Sequence, residues 1–186
     1  CEESSSNAPV PLIRKTLFYF ATLVADAVVA NSFNEARLMT KLPGRSKKMH
    51  VIWNGYKLDS ISFKPRQITE NSSPVRLLVV GRVAYPKNGS NLLKGLGLFW
   101  IRNGWVPQVN WVGRRDTDTR SVKMQDEMDL FLTENPNVAK SWVWSGEVRD
   151  VKEYYQSSDA LLHVSRYEGL PMVICEAMLS GCFVIA

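Results

Sequence analysis

Residues 159–186 read DALLHVSRYEGLPMVICEAMLSGCFVIA. The stretch opens on an apolar run, Ala160–Ser165, of the length of a strand buried on both faces. A polar loop carrying Gly169 follows. Pro171 suits the first helical position, where its missing N–H leaves no bond unmade. Residues 171–180 have helix-like apolar density, and Phe183–Ala186 is a second strand-like run. Strand, loop, helix and strand in so short a span form a βαβ unit, and such units build parallel sheets.

The same grammar runs upstream. Strands are predicted at Arg76–Gly81, Val109–Gly113 and Trp142–Ser145, with helices over 89–102, 120–134 and 150–157. Earlier still, a helix is predicted over 9–25, after Pro9 and Pro11, and Ala27–Ala30 reads as a buried strand. Asn31 and Ser32 are candidate caps for a helix over 33–41 that Pro43-Gly44 ends. Met49–Trp53 is a further strand, closed by the turn dipeptide Asn54-Gly55. From Lys57 to Pro74 the chain is polar and reads as a linker. The fold class is therefore α/β, with a Rossmann-like parallel sheet over 74–186, a linker at 57–73 and a smaller, truncated α/β piece at 1–56.

Composition narrows the function classes. The chain has 186 residues, 45% hydrophobic and 22% charged, a globular balance. A net charge of +5 fits an anionic small ligand or a membrane surface as well as nucleic acid. The densest basic cluster, Arg45, Lys47 and Lys48, reads as a solvated turn. Cys1, Cys175 and Cys182 lack the paired spacing of a disulfide framework or zinc site; a reducing, cytoplasmic compartment is the simplest inference. Leu17–Ala30 is interrupted by Asp26 and is shorter than the ~20 residues that span a bilayer. The chain begins on Cys1 and ends on an apolar run, so both ends read as cut from a longer protein.

In open parallel sheets, ligands bind beyond the carboxyl ends of the strands. Those positions hold Gly81-Arg82, Gly113-Arg114-Arg115, Gly146-Glu147 and Ser165–Gly169. Glycine lets a ligand approach the backbone, and arginine recognises phosphate through paired hydrogen bonds. The N–H groups of Gly169, Leu170 and the first turn of the following helix would form an anion site. Glu176, a turn and a half into that helix, can accept hydrogen bonds from two neighbouring hydroxyls, such as a ribose diol. The pattern points to a phosphate-bearing ligand.

The string from Ser165 to Pro171, with Glu176 and Gly181, resembles the signature of the retaining glycosyltransferases of GT-B fold, the group 1 glycosyl transferases. Their two glutamates separated by seven residues are matched by Glu168 and Glu176. Gly81-Arg82-Val83-Ala84-Tyr85-Pro86-Lys87-Asn88 resembles the family's Gly-Arg…Lys-Asn/Gly element. Val51–Gly55 resembles the segment that closes the acceptor domain, Asp26–Ser32 the strand before it, and Asp159–Ser165 the strand leading to the glutamates.

The resemblance implies a donor domain at 74–186 and a C-terminal remnant of the acceptor domain at 1–56. It implies transfer of a sugar from a nucleoside-diphosphate sugar to a hydroxyl on a saccharide or lipid-linked acceptor, with retention and without a metal or other cofactor. Gly81, Arg82 and Lys87, with the backbone of Gly169 and Leu170, would hold the donor diphosphate. Arg82 and Lys87 would also stabilise the leaving group, Glu168 would sit beside the sugar, and Glu176 would hold the ribose. No nucleic-acid partner is implied. The compartment is cytoplasmic, with peripheral association at the inner face of a membrane left open.

The chain departs from the family pattern in places. Gly113-Arg114-Arg115 stands where Gly-x-Gly is frequent. The aspartate usual after Asn-Gly is displaced to Asp59, and the acceptor domain's glycine-rich loop and histidine are absent from the sequence. Asp116-Thr117-Asp118 mimics a metal-binding Asp-x-Asp but reads as a solvated loop. His163 reads as a core histidine, His50 carries no partner signal, and Trp142 and Trp144 read as packing. Two rival functions are a non-catalytic nucleotide-sugar-binding or scaffold protein of the same fold and a sugar-nucleotide epimerase. A dinucleotide dehydrogenase would need Gly-x-Gly-x-x-Gly after the first strand of the sheet, which is absent.

Overall fold

The computed structural model describes residues 12–40, 48–55 and 74–186. They divide into two compact units: residues 12–40, 48–55 and 167–170 in one, 74–166 and 171–186 in the other. The helix stop expected at Pro43-Gly44, the basic residues Arg45 and Lys47, and the linker at 57–73 lie outside the described residues.

The smaller unit runs α1 (Leu12–Val24), β1 (Val28–Ala30), α2 (Phe33–Thr40) and β2 (Met49–Val51). β1 and β2 pair in parallel, Val28 opposite Met49 and Ala30 opposite Val51. α2 starts on a Ser-x-x-Glu signal: Ser32 Oγ accepts from Glu35 N at 3.2 Å, and Glu35 Oε2 accepts from Asn31 N at 3.3 Å. These bonds satisfy backbone donors that a helix start would otherwise leave open. Lys48, expected in a solvated turn, instead donates from Nζ to Ala25 O at 2.8 Å. A cation near unpaired carbonyls at the end of α1 is favoured by the helix dipole.

The larger unit runs β3 (Arg76–Val80), a 3₁₀ turn (Tyr85–Lys87), α3 (Gly89–Asn103), β4 (Gln108–Val112), α4 (Thr119–Glu134), α5 (Pro136–Ala139), β5 (Trp142–Gly146), α6 (Lys152–Ser157), β6 (Ala160–Leu162), α7 (Met172–Leu179) and β7 (Phe183–Ile185). The strands form one parallel sheet in the order β5-β4-β3-β6-β7. The chain steps outward from β3 to β5, returns to β6 on the other side of β3, and continues to β7. The reversal between β3 and β6 is the switch point at which such sheets bind ligands.

Alternation along β3 builds two cores. Leu77 and Val79 face a cluster of Leu92, Leu93 and Leu96 of α3, Met124 and Met128 of α4, and Val138 of α5. Leu78 faces Tyr155 of α6 and Ala177 of α7. Both faces are covered, so the central strand reads as a continuous apolar run. Leu78, Leu93 and Trp111 are fully buried, and each large aliphatic side chain so placed contributes about 1.5–3 kcal/mol. Trp142 and Trp144 pack on Trp111, with ring centroids 6.0 and 5.7 Å away, as packing residues should.

Two departures from the expected boundaries bear on the site. β6 stops at Leu162 rather than running to Ser165. Its neighbour β7 ends at Ile185, whose carbonyl takes the His163 N–H at 2.8 Å; the Arg166 N–H then bonds Pro86 O at 2.8 Å, drawing the chain off the sheet. Pro171 precedes the first turn of α7 rather than opening it: its ψ of 94° is extended, and Met172 begins the helix.

Candidate functional site

The loops after β3 and β4 are laced into one platform at the carboxyl edge of the sheet. Gly81 N–H donates to Val112 O at 2.9 Å, and Val83 N–H to Arg114 O at 2.8 Å. The buried amide of Gln125 donates to Val83 O and to Asp116 O, both at 2.8 Å. Trp111 Nε1–H donates to Gly81 O at 2.8 Å. The first two bonds join the two segments directly, and Gln125 of α4 and Trp111 of β4 clamp them from outside the loops.

Both platform glycines adopt a backbone conformation that favours glycine. Gly113 has φ 149°, and a Cβ there would lie 2.1 Å from Gly81 O. Gly81 has φ 141°, and its Cβ would meet Lys87 Cε at 2.9 Å. Lys87 therefore lies back against the bare Cα of Gly81. The structure brings Gly81 and Lys87 together across the 3₁₀ turn.

Arg82 leaves this platform half-exposed and pairs with the carboxylate of Asp116. Asp118 caps α4: its Oδ1 accepts from Arg120 N and Ser121 N, each at 3.1 Å. The Ser121 hydrogen bond is the main reason its carboxyl is held below the usual aspartate range. The Asp-x-Asp string thus has a use that the solvated-loop reading missed. One carboxylate holds Arg82 and the other holds a helix start, and an aspartate just ahead of a helical segment is the signal that could have revealed the second.

Arg115 makes a bidentate pair with Asp129, at 2.6 and 2.7 Å, and its guanidinium carbon lies 4.9 Å from the Trp144 ring centroid. That geometry commits it to packing α4 and β5 rather than to a ligand. Glu176 lies on the second turn of α7 and accepts from Tyr155 Oη at 2.9 Å. Tyr155 is buried in the second core, so the carboxylate is aimed by a fixed partner on α6. Glu168, Gly169 and Leu170 occupy the loop that groups with the smaller unit. His163 is half-buried behind β6.

A parallel α/β sheet with glycine turns and basic residues at its carboxyl edge is a Rossmann-like domain of the kind that transferases build on. The chain belongs to the glycosyl transferases group 1 family, whose model matches residues 74–186. It is 28% identical over 158 residues to the capsular polysaccharide biosynthesis glycosyltransferase CapH of Staphylococcus aureus, covering 85% of this chain and 41% of that protein. It is 32% identical over 105 residues to the amylovoran biosynthesis glycosyltransferase AmsD of Erwinia amylovora, covering 55% of this chain and 26% of that protein. The chain thus spans less than half the length of these curated relatives. Among solved structures it is similar to Anabaena HepE in complex with UDP and glucose, with a TM-score of 0.75 and 22% identity over 92% of this chain and 47% of that one. It is also similar to the sucrose-phosphate synthase of Thermosynechococcus elongatus, with a TM-score of 0.77 and 20% identity over 97% and 45% of the two chains. The fold is that of GT-B glycosyltransferases over the part covered. Among the described residues, no helix is long and apolar enough to cross a membrane.

Proposed function

We propose that this chain supplies the donor side of a retaining glycosyltransferase, which moves a sugar from a nucleoside-diphosphate sugar to a hydroxyl of a saccharide or lipid-linked acceptor. The observations that carry the reading are the glycine turn after β3, on which Arg82 and Lys87 stand, and Glu176 of α7, which Tyr155 aims. UDP is the first nucleotide to test, because HepE was solved with it.

In the transfer, the bond between the anomeric carbon and the β-phosphate oxygen breaks while the acceptor oxygen bonds that carbon on the same face. The acceptor's proton passes to the departing phosphate. Negative charge grows on the diphosphate, and Arg82 and Lys87 stabilise it; fixed charges of this sort are commonly the largest catalytic contribution. The family resemblance assigns the backbone of Gly169 and Leu170 to phosphate and Glu168 to the sugar. Glu176 accepts from the ribose hydroxyls, whose charge does not change. No step requires a metal.

Calorimetry of the 186-residue chain with UDP, GDP and ADP tests the reading. Binding of one of them, weakened by Arg82→Ala and by Glu176→Gln, is expected. A folded sample that binds none of the three overturns it.

A further inference from the structure

A second basic pocket lies on the larger unit and uses none of the residues assigned above to the donor. It encloses about 260 Å³ between Tyr85, Ser90, Arg120, Lys123, Glu127 and Arg166. These residues come from three segments: the 3₁₀ turn and the start of α3, the first turns of α4, and the loop after β6.

The pocket is built, not a chance meeting of surface side chains. Tyr85 N–H donates to the buried Ser121 Oγ at 2.9 Å, which ties the 3₁₀ turn to α4. Arg166 N–H donates to Pro86 O at 2.8 Å, which ties the β6 loop to the same turn. The Tyr85 ring then holds two guanidinium groups, with the carbon of Arg120 3.9 Å and that of Arg166 4.7 Å from its centroid. A single ring attracts both cations through its π face, yet the cations repel each other. Lys123 adds a third positive charge to the lining. The one carboxylate there, Glu127, accepts from Ser90 Oγ at 3.1 Å.

Three cations against one carboxylate leave a surplus of two positive charges. A phosphate monoester carries close to two negative charges at neutral pH, and the planar donor fork of arginine matches its oxygens. A lone carboxylate would leave the surplus half met. We infer that Tyr85, Arg120, Lys123 and Arg166 form a binding site for a phosphate dianion, either free or carried on a sugar. The tyrosine reports on occupancy. The hydrogen bond from Arg120 and the charge of Arg166 hold its phenol below the ordinary tyrosine range. A bound dianion offsets those cations and moves its titration back up.

The test uses the 186-residue chain with inorganic phosphate and glucose 6-phosphate as probes, at ionic strength matched with chloride. Binding is followed by calorimetry. Tyr85 is followed by ultraviolet difference titration against Tyr85→Phe. Saturable phosphate binding and an upward shift of the Tyr85 titration are expected. Arg120→Gln and Arg166→Gln should each weaken binding about tenfold or more, as loss of a charge-assisted hydrogen bond does, while Arg120→Lys and Arg166→Lys keep part of it. Arg102→Ala, at an exposed basic position on the last turn of α3 outside both sites, should leave it unchanged. Tighter binding of glucose 6-phosphate points to an ester as the source, and equal binding to free phosphate. Loss of phosphate binding in Arg82→Ala but not in Arg166→Gln would place the anion at the diphosphate platform and overturn the inference. Displacement by chloride, or a Tyr85 titration that does not move, overturns it too. The inference does not depend on UDP binding, so the two readings fail separately.

Discussion

Tyr155 of α6 donates its hydroxyl hydrogen to Glu176 Oε2 of α7 across 2.9 Å. The donor is buried and the acceptor half-buried, so the carboxylate is aimed before any ligand arrives. Tyr155→Phe keeps the ring and removes only the hydroxyl. A hydrogen bond is worth about 0.5–1.5 kcal/mol net, so UDP affinity should fall two- to tenfold with little change in melting temperature. Glu176→Gln, which removes the charge proposed to meet the ribose, should cost more. Calorimetry of both variants decides. Equal UDP affinity in wild type and Tyr155→Phe would mean that the tyrosine serves the core alone.

Gly113 and Gly95 should respond in opposite directions to a single methyl group. At Gly113 a Cβ meets the Gly81 carbonyl oxygen at 2.1 Å, in a backbone region closed to other residues. Strain and overlap together make Gly113→Ala cost on the order of 2–4 kcal/mol, and UDP binding should fall with the platform. Gly95 lies inside α3 with nothing within 4 Å of its missing Cβ. There alanine gains about 0.5–1 kcal/mol from helix propensity. Urea denaturation of both variants checks the pair.

Asp118 makes stability depend on acid. Its folded-state carboxyl titrates below the unfolded value, mainly through the Ser121 hydrogen bond. As pH falls below about 3.9, the unfolded chain takes up this proton first. The cap's contribution is therefore complete above that pH and is lost as pH drops through the lower, folded value. Asp118→Ala should cost about 1 kcal/mol at pH 7, with the gap to wild type closing in acid. Asp118→Asn should keep most of the cap and lose its pH dependence. Denaturation midpoints from pH 7 down to 3 measure both.

The sheet was legible because both of its faces are covered. Leu77, Leu78, Val79 and Val80 form an unbroken apolar run, and helix-length segments separate the next such runs. Ser32 with Glu35, three residues on, was a readable helix start. Other features depend on partners far apart in sequence. Nothing near Trp111 announces that its indole N–H will hold the Gly81 carbonyl, or that Gln125 will clamp two loops. The short helix α5 escaped notice because four residues, Pro136–Ala139, carry too little periodicity to register. For the candidate site, residue type and position marked Arg82 and Glu176, and the family resemblance added Lys87. Their supports, Asp116 and Tyr155, sit 34 and 21 residues away and only the fold unites them.

On the proposed reading, Arg82 and Glu176 should fail in different ways in a transfer assay. Arg82 is paired with Asp116, with its side chain 58% exposed. A pair so exposed is worth at most about 1 kcal/mol, so an incoming diphosphate, with more charge than one carboxylate, can take the guanidinium over at small cost. Once engaged, Arg82 on the proposed reading meets oxygens whose negative charge grows as the sugar departs. Its effect is larger in the transition state than in the ground state, and Arg82→Ala should lower kcat by a factor on the order of 10²–10³. Arg82→Lys should recover only part of this, because a point charge does not reproduce the paired hydrogen bonds of the fork. On the same reading, Glu176 meets a ribose whose charge is constant. Glu176→Gln should therefore weaken ground and transition states together, raising the donor KM with kcat nearly intact. The comparison needs initial rates at saturating and at limiting donor for all three variants. An unchanged kcat in Arg82→Ala would make Arg82 a surface charge neutralised by Asp116, and would move the diphosphate site elsewhere on the platform.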